Sequence, residues 1–182
     1  MVNGSLTIIS RFTEDEVDDL INALLDFPDH FFSFPHIKNM RMHKTTGKSK
    51  FGFLAVAGEE GILFYQPWSV LSRSYRQYAV FHELSHTFAE RKGKERYKSI
   101  SQNSKWLDLS WVYNRAKFIY VPIPNACFVS KYASVMPPED LAESFAAYRY
   151  DGASFKQNCP QKYDFLKSSV FNGIEYDDEF CN

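Results

Sequence analysis

The amino-acid sequence predicts an α+β fold, with a small antiparallel sheet in the first half and helices in the second. Short apolar runs separated by glycine-rich and polar turns occupy residues 36 to 65, whereas beyond Ser69 the apolar residues recur at helical spacing between Pro and Gly punctuation. A hydrophobic content of 45% in 182 residues, with 17% aromatic, is enough for one core, so residues 1–182 are read as a single domain.

The elements follow in order. Thr13-Glu14-Asp15-Glu16 is a capping box, and Val17, Leu20, Ile21, Leu24 and Leu25 repeat at helical spacing until Phe27-Pro28 ends the run. An extended segment from His36 to His43 and a polar turn from Lys44 to Lys50 lead into the run Phe51 to Ala57. Gly58-Glu59-Glu60-Gly61 is a turn signal, and Ile62-Leu63-Phe64-Tyr65 returns as a strand. One long helix is expected from about Ser69 to Gly93. Another is expected after Ser104, through Trp106, Leu107, Leu109, Trp111 and Val112. The prolines of Val121-Pro122-Ile123-Pro124-Asn125 forbid a regular helix there. Pro137-Pro138 opens a helix that runs to Tyr150 and stops at Asp151-Gly152, and Pro160 opens a last one closed by Asn172-Gly173.

Chemistry concentrates in His82-Glu83-Leu84-Ser85-His86. Positions four apart lie one above the other on a helix, so both imidazoles leave one face at a separation that a single tetrahedral Zn²⁺ can span. Glu83 lies beside them, where it can take a proton from the attacking water. A catalytic zinc site normally has a third protein ligand. No histidine follows His86, so that ligand is a carboxylate or a cysteine. Glu139 and Glu143, four apart near a helix start, face the same way: one can bind the metal and the other, Glu143 being suited to this, can hold a ligand imidazole through its second ring N–H. Glu90, four residues after His86, is on the histidine face as well, although a solvated charge is the simpler reading.

Composition narrows the partners. The formal net charge of −1 argues against nucleic acid or an anionic membrane, since both call for a basic surface. The basic run Arg91 to Lys98 reads as a solvated helix end. No stretch approaches the 18 apolar residues of a membrane span, and Met1 to Ser10 lacks the layout of a signal peptide. Cys127, Cys159 and Cys181 fit no CxxC metal pattern. A Cys159–Cys181 bridge and three free thiols are both compatible with the spacing. A monomer is expected.

The order of motifs resembles the gluzincin metallopeptidases, and within them the catalytic domain of anthrax lethal factor and the secreted bacterial Pro-Pro endopeptidases. The residues that carry the resemblance are HExxH itself, Asn103-Ser104-Lys105 at a helix start, Ser130-Lys131-Tyr132, and Glu139 seven residues beyond that tyrosine within Glu139 to Phe145. The helix Pro160 to Leu166 completes the set. The match covers roughly residues 75 to 172; Arg115 to Cys127 and the first 70 residues stand outside it. The resemblance implies a zincin-like domain with His82, His86 and Glu139 as zinc ligands, Glu83 as general base, Tyr132 assisting catalysis, and a protein or peptide substrate. It also favours a secreted or delivered bacterial protein. A zinc-stabilised module that recognises peptides without cutting them is the alternative, and intact Glu83 counts against it. A peptide deformylase would need a cysteine ligand upstream of the helix, where this chain has none. Gly61 to Gln66 could form the sheet edge on which a substrate adds as a strand, with Phe64, Tyr65 and Trp68 either lining subsites or packing in the core.

Overall fold

Thr13 caps the first helix, α1 (Glu14–Asp26), in the reciprocal way its sequence requires: the Thr13 hydroxyl accepts from the Glu16 N–H and the Glu16 carboxylate accepts from the Thr13 N–H at 2.7 Å. The computed structural model describes residues 7–9, 12–33, 37, 39–58, 61–89 and 100–176. They fall into two units, Met1–Phe88 and Ala89–Asn182, and the described residues are mixed α+β.

In the first unit, strands β1 (Thr7–Ile9), β2 (Arg41–Lys44), β3 (Ala55–Gly58) and β4 (Gly61–Phe64) form one sheet in the order β1-β2-β4-β3. The expected antiparallel sheet is corrected to a mixed one: β1 with β2 and β2 with β4 are parallel, and only the β3–β4 hairpin is antiparallel. The cause is the connection between β1 and β2, which contains α1 and is long enough for a parallel crossover. The three-residue β1 carries too little pattern to be read from sequence. Gly61 sets the β2–β4 register opposite Arg41. At its φ of 141°, an added Cβ would lie 1.8 Å from the Arg41 carbonyl oxygen, so only glycine fits.

That topology also corrects the expected substrate edge. β4 is paired on both sides, and Phe64 and Trp68 are fully buried core residues; the edge beside β4 is β3. The second helix, α2, is described over Arg73–Ala89; positions 90–93, which the expected helix includes, lie outside the described residues. Its buried stripe is Phe81, Leu84 and Phe88. Phe81 meets Phe27 at 5.0 Å, and Phe88 meets Phe31 at 4.1 Å between ring centroids.

The second unit opens with α3 (Ser104–Leu107), capped by the Asn103 side chain. The longer helix expected here stops at Leu107. Trp111 and Val112 belong instead to a hairpin of β5 (Trp111–Asn114) and β6 (Ile119–Pro122), with Tyr113 facing Tyr120 across the strands. A cluster of aromatic and β-branched residues satisfies both patterns, and cross-strand pairing decides in favour of the strand. Helix α4 (Pro137–Tyr150) has the expected bounds. α5 (Gly152–Asn158) stands where only a stop signal was read, and α6 (Pro160–Ser169) precedes a turn in which Asn172 and Gly173 have positive φ. Tyr148 stacks on Phe171 at 4.4 Å and 12° inside this unit.

Cys127 and Cys159 are disulfide-bonded, with Cα atoms 5.6 Å apart. This replaces the Cys159–Cys181 alternative, since Cys159 has one sulfur to give; Cys181 lies outside the described residues. No described helix is long and apolar enough to cross a membrane.

Candidate metal centre

Helix α2 turns Val80, Phe81 and Leu84 fully inward, which leaves His82 and His86 on the adjoining flank. Their Nε2 atoms are 3.2 Å apart. Two nitrogens bound at about 2.05 Å to one tetrahedral zinc would be separated by about 3.3 Å, so the separation of the pair matches. His82 and Glu83 are each 8% exposed. The Ser85 hydroxyl donates to the His82 carbonyl at 2.7 Å and the Thr87 hydroxyl to the Glu83 carbonyl at 3.2 Å.

Helix α4 starts at Pro137 and Pro138, whose missing N–H groups cost nothing in a first turn. Glu139 follows, half-buried. Its neighbour Asp140 is fully buried and points to Lys162 of α6, whose ammonium donates to both carboxylate oxygens at 2.6 and 2.8 Å. The Trp111 indole N–H donates to the same carboxylate at 2.9 Å. Lys162 is only 2% exposed and its ammonium sits 4.3 Å from the Phe128 ring centroid and 5.3 Å from that of Trp106. Burial pushes the Asp140 carboxyl up and the Lys162 ammonium down, against the attraction of each for the other.

His82, His86 and Glu139 each offer one ligand atom, and these atoms lie within 4.8 Å of one another. Two imidazole nitrogens and a carboxylate form a donor set suited to Zn²⁺, which takes N and O ligands readily. The cysteines are removed from the candidates so far as Cys127 and Cys159 are concerned, because both sulfurs are in the disulfide.

Tyr132 lies in the loop before α4 and is 42% exposed. Glu143, one turn after Glu139, accepts the Ser130 hydroxyl at 2.6 Å. The Ser130–Glu143 bond and the Asp140–Lys162 pair are the features that residue patterns do not disclose, although Ser130 itself belongs to the Ser130-Lys131-Tyr132 motif. For Lys162 a signal existed: it stands four residues before the buried Leu166, on the inward face of α6. Of the other sequence candidates, Glu90 and the run Arg91 to Lys98 lie outside the described residues. No protein-family model matches the chain, and no curated protein matches it either.

Proposed function

We propose that this chain is a zinc-dependent endopeptidase of the gluzincin type, with His82, His86 and Glu139 as ligands and Glu83 as general base. The observation that carries the reading is an HExxH helix whose two imidazole nitrogens stand 3.2 Å apart, with Glu139 completing a three-ligand group. The similarity to anthrax lethal factor and the Pro-Pro endopeptidases supports the same assignment.

Zinc supplies, when bound, a Lewis acid that polarises the scissile carbonyl and brings the pKa of water toward about 7. Glu83 receives the proton of the attacking water and passes it to the leaving amine. The Tyr132 phenol donates to the oxyanion as charge develops there, and Glu143 orients a ligand imidazole. Substrate is a protein or peptide. The Cys127–Cys159 bond suits an oxidising compartment, in keeping with a secreted or delivered protein.

The test pairs elemental analysis with mapping of new amino termini in a proteome. Wild type should hold one zinc per chain and generate new termini. Glu83→Gln should keep zinc and fold while losing about 10²- to 10⁴-fold in turnover. Absence of any transition metal after metal-replete expression defeats the proposal. Bound zinc without hydrolysis by the wild type leaves the peptide-recognition module instead.

A further inference from the structure

The formal net charge of −1 conceals how the charges are distributed. Residues 109–138 contain Arg115, Lys117 and Lys131 and no carboxylate, although the chain has 22 acidic residues. The β5–β6 hairpin lies inside this stretch. Its cross-strand pairs divide it into two faces: Val112 stands opposite Val121 and Asn114 opposite Ile119 on one, Trp111 opposite Pro122 and Tyr113 opposite Tyr120 on the other. Both faces leave apolar side chains open. Val112 and Ile119 are 51% and 50% exposed, Tyr113 and Tyr120 46% and 38%.

The tip is Arg115-Ala116-Lys117-Phe118. The Asn114 side chain accepts the Ala116 and Lys117 N–H groups at 3.0 and 3.1 Å, so the turn supplies partners for its own amides. Phe118 is 80% exposed and has a φ of 55°, where stability alone favours glycine or asparagine. Arg115 and Lys117 are exposed, and neither pairs with a carboxylate among the described residues.

A rigid partner that docks by packing or by strand pairing takes one face or one edge of such a ribbon and leaves the rest in water. A lipid interface is fluid and surrounds the tip. It takes apolar and tyrosyl side chains from both faces at once, while the two cations meet anionic headgroups. We infer that the β5–β6 hairpin docks on an anionic membrane surface, with Phe118 entering the boundary between headgroups and acyl chains. Its strands have four residues each, against the roughly nine that a spanning strand needs, so the contact is interfacial. The inference is independent of the endopeptidase reading.

The test sediments the full chain with phosphatidylcholine vesicles. With about one-third phosphatidylserine, the affinity should rise about tenfold or more over phosphatidylcholine alone, and 1 M NaCl should remove most of the gain. Arg115→Gln and Lys117→Gln should each weaken binding about fivefold, the contribution of one cation at an anionic surface. Phe118→Ser should weaken it about tenfold or more. Thermal midpoints should stay within about 2 °C of wild type, because the three side chains are exposed. Phe118→Trp should keep the affinity. Trp68, Trp106 and Trp111 are buried, so the new indole should be the one quenched by lipids brominated on their acyl chains.

A chain that stays in the supernatant with anionic vesicles overturns the inference. Binding to polyglutamate but not to vesicles also overturns it, and reassigns the hairpin to an acidic protein. Vesicle binding undiminished in Phe118→Ser, or unquenched in Phe118→Trp, removes the hairpin from the contact.

Discussion

The two helices that carry the proposed metal ligands are held in contrasting ways. α2 is anchored at its start: Arg73 and Arg76 both pair with Asp19 of α1, and the Trp68 indole N–H donates to the Arg76 carbonyl at 3.2 Å. From Arg76 to His82 is six residues, about 9 Å along the axis, so the histidines inherit their position through the stiffness of the helix. α4 is anchored beside its ligand. Asp140, the residue after Glu139, sits in a sealed pair with Lys162 under the Trp106 and Phe128 rings. The arginines of the first anchor reach solvent, with side chains 63% and 15% exposed, while both members of the second are shut away at 2% and 0%. Asp19 itself is 1% exposed, so the first anchor is open to water on its arginine side alone.

The sharpest way to break this contrast is Lys162→Met. Removing one member of a buried pair leaves the other charge uncompensated, at a cost of about 3–5 kcal/mol, read as a lower midpoint in urea. Zinc affinity should fall with it, because the turn carrying Glu139 loses its tether. Lys162→Met with Asp140→Leu should recover part of the stability, since an apolar pair of similar volume is often neutral but the Trp111 indole N–H loses its acceptor. A single variant as stable as wild type would remove the sealed anchor from the account.

Asp19→Asn should cost less, about 1–3 kcal/mol, because the freed arginine ends can rehydrate. Zinc affinity should stay within about twofold of wild type if helix stiffness transmits the position of His82 and His86. Affinity lost in parallel with Lys162→Met would show that the two anchors do not differ in kind.

What the sequence discloses follows the same division between local and distant. HExxH, the Glu139–Glu143 spacing and the Pro137-Pro138 helix start are local patterns with a fixed period, and they lie on helices as expected. The Asp140–Lys162 pair spans 22 residues and the Cys127–Cys159 bond 32, and nothing in the neighbourhood of either partner specifies the other. The parallel pairing of β2 with β4 is equally non-local. Trp111 and Val112 show the remaining failure: five apolar residues in seven positions satisfy a helix and a hairpin alike, and Tyr120, on the other strand, decides.

The smallest expected effect separates two carboxylates by their response to salt. In the first unit burial raises the pKa of Glu16, but hydrogen bonds from Lys44 and the Thr13 N–H outweigh it and the net shift is downward. In the second unit Glu175 is held down to about 2 by hydrogen bonds from Lys167, Tyr163 and Lys156. Both folded values lie below the unfolded one, near 4.5, so each contribution is complete above that pH and is lost as pH falls through the folded value. Glu16 is 3% exposed whereas Glu175 and its lysines face solvent, where the Debye length is about 3 Å at 1 M salt. Acid unfolding followed by circular dichroism should therefore become shallower between about pH 4.5 and 2 in Glu175→Gln, and 1 M NaCl should erase most of that difference. Glu16→Gln should shift the same limb with little dependence on salt. Equal salt sensitivity in the two variants would mean that the Lys44–Glu16 pair is as hydrated as the surface one.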